Sequence, residues 1–356
     1  EVFILDREKG EADILRCIDL DTGEEKWNFR YEAKGEIAFP GSRAVPTVDK
    51  KYVWSVGPHG DFYCIEKESG SPVWHHNIVE EFGAKPTSWG ISQSPLIYKD
   101  LVIVAPEGSL AGVVAFRKHS GEPAWKSRAL TGSNYHVSPT LAGFGGVDQV
   151  IMISPYDRKD SSKVHEVVGI DANSGDVLWS YDGLKSFATI SPPTVIDKER
   201  LFLTQGAYDG AFKPVSIMLE ITREGEEFQL KEIFLTGKAG CKMHPPVVFE
   251  DHLYMNSNGK PNQMVCLTMT GELCWNDREA PGFDLGGMIL VDDLIINQNG
   301  KNGDIHLIEP SPEGYRELGK ASYFNRETNQ AWAPLAFSDG RLIVRDLEKM
   351  VCVDLR

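Results

Sequence analysis

The stretch Cys17-Ile-Asp-Leu-Asp-Thr-Gly23-Glu-Glu-Lys-Trp27 decides the fold, because it returns. It comes back as Cys64-Ile-Glu-Lys-Glu-Ser-Gly70-Ser-Pro-Val-Trp74, then as Ala115-Phe-Arg-Lys-His-Ser-Gly121-Glu-Pro-Ala-Trp125. Further copies are Gly169-Ile-Asp-Ala-Asn-Ser-Gly175-Asp-Val-Leu-Trp179 and the shorter Cys266-Leu-Thr-Met-Thr-Gly271-Glu-Leu-Cys-Trp275. The first four tryptophans are 47, 51 and 54 residues apart, and the next gap, of 96, fits two periods with a degenerate copy between. That copy is read at Met218 to Phe228, with Gly225 at its turn, and a further weak one at Leu307 to Tyr315, with Gly314. A fixed period of this length is the mark of a repeat architecture.

A second mark falls between the first. It reads Val45-Pro46-Thr47, Ser94-Pro95-Leu96, Ser138-Pro139-Thr140, Ser191-Pro192-Pro193, His244-Pro245-Pro246 and Ala333-Pro334-Leu335. Each is followed by an apolar run, a polar turn such as Lys99-Asp100 or Ser338-Asp-Gly340, and a second apolar run. Two β-rich runs around a short polar turn predict a hairpin, and proline at the start of the first strand costs no ladder bond. Each period thus holds four short strands, with a Thr/Ser-Gly turn between the third and fourth and the Trp on the fourth. Gly at that turn takes the positive φ that other residues resist.

Four strands per period of 45–50 residues predict an all-β, eight-bladed β-propeller of four-stranded antiparallel blades, organised as a single domain over 1–356. Complete copies start near Ala38, Trp89, Tyr135, Ala188, Lys242 and Phe283. Two terminal copies are incomplete: the first, entered at Val2 to Leu5, lacks its inner strand, and the last, from about Gln330, lacks its outer one. A contiguous upstream stretch is expected to supply both. The repeated tryptophans are read as blade-to-blade packing, since Trp buries a large area.

The Asp-x-x-(Thr/Ser)-Gly-x-x-x-Trp repeat resembles the pyrroloquinoline quinone-like, or quinoprotein alcohol dehydrogenase-like, propeller repeat, over essentially the whole chain. It is similar to the stand-alone bacterial propellers of that kind, in which a segment like Glu80-Glu-Phe-Gly-Ala-Lys85-Pro-Thr-Ser-Trp89-Gly90 recurs. The resemblance implies fold more than activity. The same blade serves dehydrogenases and also a scaffold lipoprotein of the outer-membrane barrel-assembly machinery that binds no quinone. It implies export to the periplasm or cell surface, with a signal segment removed.

Composition narrows the partners. The 52 acidic residues against 37 basic ones give a formal charge of −15, a field that repels phosphate backbones and argues against nucleic acid. No apolar run approaches the length of a transmembrane helix. The expected partner is a protein or a carbohydrate on the loop faces, which a rigid propeller presents well.

A quinoprotein dehydrogenase needs a Trp floor under the quinone, in many cases a disulfide of adjacent cysteines above it, a Ca²⁺ ion on carboxylate and amide oxygens, and an Asp base. No Cys-Cys dipeptide is present. Arg43, Trp89, His136, Lys242, His244, Asp284 and Trp332 lie at or near inner-strand starts and are therefore the candidates for lining a central channel. The readings are a water-filled polar channel or a ligand site for a small anion or quinone at Arg43, Lys242 and the two histidines. No cofactor is expected on the leading reading; pyrroloquinoline quinone with calcium belongs to the alternative.

Metal signals are weak. Asp19-Leu-Asp21-Thr-Gly23-Glu24 is already explained as the repeat turn, and Asn297-Gln-Asn299-Gly-Lys-Asn302-Gly-Asp304 reads as a hairpin loop. No zinc spacing, phosphate loop or nucleophile elbow occurs. His75-His76 is read as a strand end at the surface. Cys17, Cys64, Cys266 and Cys352 share one third-strand slot and are read as small buried hydrophobes. Cys241 has no evident partner, and Cys266 with Cys274 form either a disulfide across one turn or two reduced thiols.

The leading functional reading is a non-catalytic binding or scaffold module. The alternative is a quinone-dependent alcohol or sugar dehydrogenase, and a third is a detached domain of a larger chain.

Overall fold

The computed structural model describes residues 1–39, 41–132, 135–154, 165–184, 190–207, 213–259, 262–275, 280–324 and 330–356. The blade start expected near Ala188 lies outside them. Two compact units emerge, Glu1–Phe187 and Ala188–Arg356.

The first unit holds four antiparallel sheets. Blade 1 is β1 (Val2–Glu8), β2 (Ala12–Ile18) and β3 (Glu25–Glu32). Blade 2 is β4 (Thr47–Val48), β5 (Tyr52–Val56), β6 (Asp61–Glu66) and β7 (Pro72–Asn77). Helix α1 (Ile78–Phe82) follows it, capped by the Asn77 side chain and ended by Gly83 at φ 66°. Blade 3 is β8 (Leu96–Tyr98), β9 (Leu101–Val104), β10 (Val114–Arg117) and β11 (Pro123–Lys126). Blade 4 is β12 (Thr140–Phe144), β13 (Val147–Ser154), β14 (Glu166–Asp171) and β15 (Val177–Tyr181).

The second unit holds four more. Blade 5 is β16 (Thr194–Val195), β17 (Arg200–Gln205), β18 (Val215–Glu224) and β19 (Glu227–Thr236). Blade 6 is β20 (Val247–Phe249), β21 (His252–Asn256), β22 (Met264–Thr268) and β23 (Leu273–Trp275). Blade 7 is β24 (Met288–Val291), β25 (Leu294–Gln298), β26 (Ile305–Ile308) and β27 (Glu317–Ala321). Blade 8 is β28 (Ala336–Ser338), β29 (Arg341–Arg345) and β30 (Met350–Asp354). Every sheet is a meander in chain order, and the two three-stranded blades are the terminal ones, as the repeat predicts. These are the blades of an eight-bladed β-propeller, and α1 is the one helix among the described residues.

Successive side chains of a strand point to opposite faces of the sheet, and within each unit neighbouring blades pack face to face. On β21, Leu253 and Met255 pack toward Phe202 and Met218 of blade 5, while Tyr254 packs toward Met288 and Ile295 of blade 7. In the first unit, Trp54, Phe62 and Cys64 of blade 2 pack on Val102, Val114 and Phe116 of blade 3. Fully burying side chains of this size stabilises by roughly 1.5–3 kcal/mol each.

Local chemistry makes the turns. The Asp19 carboxylate accepts from the backbone N–H groups of Asp21 and Thr22, and the Asp171 carboxylate does the same for Asn173 and Ser174. These Asx turns lead into Gly23 at φ 75° and Gly175 at φ 83°. They confirm the reading of Asp19 to Glu24 as a turn. The loop after Asn297 also closes on itself: Asn299 accepts from the Lys301 N–H and Asn302 from the Asp304 N–H.

The slot shared by the cysteines has a cause that the spacing alone does not reveal. Cys17 lies opposite Trp27, Cys64 opposite Trp74, Ala115 opposite Trp125, Gly169 opposite Trp179 and Cys266 opposite Trp275, each just before a bulge. A residue facing an indole across the ladder must be small. Cys352 corrects the expectation of burial: blade 8 ends at β30, so its slot faces no Trp and Cys352 is exposed. Cys266 and Cys274 are free thiols, with Cys274 in the bulge.

The degenerate copy is the β18–β19 hairpin, turning at Gly225. Its Trp is replaced by Phe234, whose ring lies 2.5 Å from where a Cβ on Gly271 would sit. His75 and His76 lie in the last three residues of β7, with His75 exposed; His75 stacks on Tyr63 at 4.2 Å, and His76 contacts the Gly121 carbonyl at 2.7 Å.

Candidate functional site

The predicted site residues fall into two clusters, one in each unit. All lie in the segments that lead into first strands.

In the first unit the Ser-Pro mark is itself a stitch. The Val45 N–H donates to Ser94 Oγ at 3.0 Å, and the Ser94 N–H donates to Ser138 Oγ at 2.9 Å. The serine before each proline thus ties one inner-strand start to the next. Two residues earlier in each copy the slots are Arg43, Ser92 and His136, so the stitch gathers them. Ser92 Oγ lies 2.9 Å from His136 Nδ1, and the Trp89 ring lies 5.7 Å from the His136 ring. Arg43 donates from Nη2 to the Trp89 carbonyl and its guanidinium sits 5.9 Å from the Phe39 ring centre. Phe39 meets Trp89 edge-on at 6.1 Å.

His136 is 4% exposed. Burial, helped by the nearby Arg43 charge, holds its pKa down at about 3, so it is a neutral imidazole at physiological pH. Burial also lowers the pKa of Arg43, which stays charged from so high an ordinary value.

In the second unit His244, Trp332 and Asp284 form a hydrogen-bonded chain. His244 Nε2 lies 3.1 Å from the Trp332 carbonyl, and Trp332 Nε1–H donates to Asp284 Oδ2 at 3.2 Å. Asp284 sits at φ 51°, a conformation that Asp tolerates better than most residues. Its carbonyl accepts from Asn258 Nδ2 at 2.8 Å, while Asn258 Oδ1 accepts from the Lys242 N–H at 2.9 Å. The Lys242 carbonyl in turn accepts from the Ile190 N–H. Burial lowers the His244 pKa, and the carbonyls of Trp332 and Leu285 partly oppose that shift.

Cys241, His244, Asn256, Asn258, Asp284 and Met288 line a pocket here of about 10 Å³, the room of one water molecule. Burial pushes the Cys241 thiol well above its ordinary pKa, so it is a poor nucleophile. Among the described residues, no three His, Cys, Asp or Glu side chains gather as a metal site.

Sequence reading missed Ser92, Phe39 and Asn258. Ser92 was open to detection, because it occupies the same position before its proline as Arg43 and His136. Asn258 and Phe39 carry no repeat signal and are recruited by packing.

Solved structures share this architecture. BamB from Moraxella catarrhalis superposes with a TM-score of 0.63 at 14% identity, covering 99% of this chain and 90% of that one. The quinohemoprotein alcohol dehydrogenase of Comamonas testosteroni gives 0.62 at 13% identity, covering 96% and 68%. The computationally designed Ika8 protein gives 0.64 at 11% identity, covering 99% and 93%. Such identities speak for the fold alone. No curated protein sequence matches the chain. A family profile does match, over residues 11–208, more than half of the chain, and with it the repeat acquires its family: the chain belongs to the family described as outer membrane protein assembly factor BamB.

Proposed function

We propose that the chain is a non-catalytic binding module that engages a protein partner through its exposed loops, outside the inner membrane, in the assembly of outer-membrane proteins. The observation that carries this reading is how the candidate polar groups are used. His136 is tied to Ser92, and His244, Trp332 and Asp284 are tied to one another. A general acid or base must instead meet a ligand's proton within hydrogen-bond reach. The family supports the same reading. Among the described residues, no helix is long and apolar enough to cross a membrane.

The fold's dehydrogenase relatives raise pyrroloquinoline quinone with calcium as a cofactor. A planar tricyclic needs two flat walls and a cleft, and the ion needs several carboxylate or amide oxygens. The pocket at His244 has room for one water, and among the described residues no acidic cluster stands ready to hold an ion. The pocket at His244 is too small for the quinone.

The test has two arms. Deleting the gene in its host is expected to deplete β-barrel proteins from the outer membrane, measured by quantitative proteomics of isolated membranes. Titrating the purified protein with the quinone and Ca²⁺, followed by Trp fluorescence, is expected to give no saturable change up to about 1 mM. An unchanged outer membrane together with Ca²⁺-dependent binding at micromolar concentration overturns the proposal. An unchanged outer membrane with binding to a glycan array also overturns it, moving the partner from protein to carbohydrate.

A further inference from the structure

Arg43 is a half-buried cation without a counter-charge among the described residues. Among the described residues, its guanidinium makes one hydrogen bond, from Nη2 to the Trp89 carbonyl, and no ion pair. Its Nε is buried and has no partner. A guanidinium carries five N–H donors, so most of its capacity is unspent. The fold does supply an anion to Arg7, its enclosed arginine in blade 1, which has Asp13 at 2.8 Å. A charge taken out of water without such a partner is costly, and the cost is recovered when an anion arrives.

The surroundings say which anion. Phe39 is an apolar wall beside the guanidinium, Trp89 meets Phe39 edge-on, and both rings are half-buried and so reachable from solvent. His136, its ring 5.7 Å from that of Trp89, is held by Ser92 and contributes no charge. The cluster therefore holds a single positive charge in an aromatic setting. That matches a monoanion with a flat, two-oxygen face, which a guanidinium grips with paired hydrogen bonds. A phosphate dianion would bring a second charge with nothing to meet it, inside a protein of net charge −15.

We propose that Arg43, beside the Phe39 ring on which Trp89 packs, is a receptor for one carboxylate group carried on an apolar or aromatic body. Two sources share that chemistry: a carboxylate of a partner polypeptide, or a free organic acid. Only the first rests on the protein-binding reading above.

Isothermal titration of the purified protein tests it, with phenylacetate, acetate and phenylacetamide as probes. Phenylacetate is expected to bind at millimolar concentration or tighter, more tightly than acetate, while the uncharged amide does not bind. Arg43→Gln is expected to weaken phenylacetate by about tenfold or more. Should that variant not fold, the wild-type NMR spectrum serves instead: phenylacetate is expected to shift the Trp89 indole and His136 ring signals ahead of all others. Two short peptides separate the sources, one with a free C-terminal Phe carboxylate and one with that end amidated. Binding of the free-ended peptide places the carboxylate on a polypeptide. Binding of small acids alone keeps the receptor and assigns it to a free acid, leaving the protein-binding reading to the membrane experiment. Absence of carboxylate binding up to about 10 mM, or equal binding by folded Arg43→Gln, overturns the receptor.

Discussion

The indole of Trp74 donates its Nε1–H to the carbonyl of Lys118, 44 residues further on, at 2.9 Å. The same ring lies against Gly121, where a Cβ would come within 2.8 Å of it. Trp27 repeats the relation with Lys67 and Gly70, and Trp125 with Ala172 and Gly175. The Trp of one blade therefore docks on the Thr/Ser-Gly turn of the next. Within the repeat, Gly and Trp look like partners, yet each serves a different neighbour.

This double demand on the glycine can be measured. Gly121→Ala adds a strained positive φ and a clash with the half-buried Trp74 indole; Gly23→Ala adds the φ alone, because nothing lies within 4 Å of its Cβ position. Gly23→Ala is expected to cost about 1 kcal/mol and Gly121→Ala about 2–4 kcal/mol in chemical denaturation. Equal losses would mean that the turn conformation, not the neighbour's Trp, selects glycine.

Blade 1 is anchored by a buried ion pair. Arg7 and Asp13 have side chains 2% and 0% exposed, and Arg7 also donates to the carbonyls of Ala33 and Gly35. Asp13 accepts from Ser42 Oγ at 2.6 Å. Asp13→Asn leaves a buried guanidinium without its anion and is expected to destabilise by about 3–5 kcal/mol. The double replacement Arg7→Met with Asp13→Leu is expected to recover part of that loss. A double variant less stable than Asp13→Asn would show that the bonds to Ala33 and Gly35, rather than the unpaired charge, dominate.

His136 sets a pH dependence with a definite sign. Its folded pKa of about 3 lies below its ordinary value, so the folded protein binds the proton less readily than the unfolded chain. The stabilising effect of keeping it neutral is present above an ordinary pKa of about 6.5 and fades as pH falls from there toward 3. Between pH 7 and pH 5 this one group is expected to remove about 2 kcal/mol. Urea unfolding of wild type and His136→Gln at both values isolates it, since the carboxylates titrate alike in the two. A parallel fall in both proteins would show that His136 protonates in the folded state.

The blade was legible in the chain because its signals are local. An Asx turn spans four residues, Gly is demanded by its own φ, and proline marks a strand start by what it cannot donate. Even the incomplete terminal blades follow from counting strands. The candidate site was half legible. Its residues stand beside the Ser-Pro mark, so position alone picks out Arg43, His136 and His244.

What position does not reveal is who meets whom. The Ser92 contact to His136, the Trp332 bond to Asp284 and the pairing of Arg7 with Asp13 join residues 44, 48 and 6 positions apart. The period places Ser92 and His136 in equivalent slots but does not reveal that they touch; strand register and blade packing make these contacts. The exposure of Cys352 follows from a missing fourth strand, and the small residues opposite each Trp follow from the ladder. By itself the sequence determined the repeating unit, through turn and strand chemistry that acts within a few residues. Tertiary structure alone decided which charges are matched and which, like Arg43, are not, because burial and distance between remote residues exist only once the blades have packed.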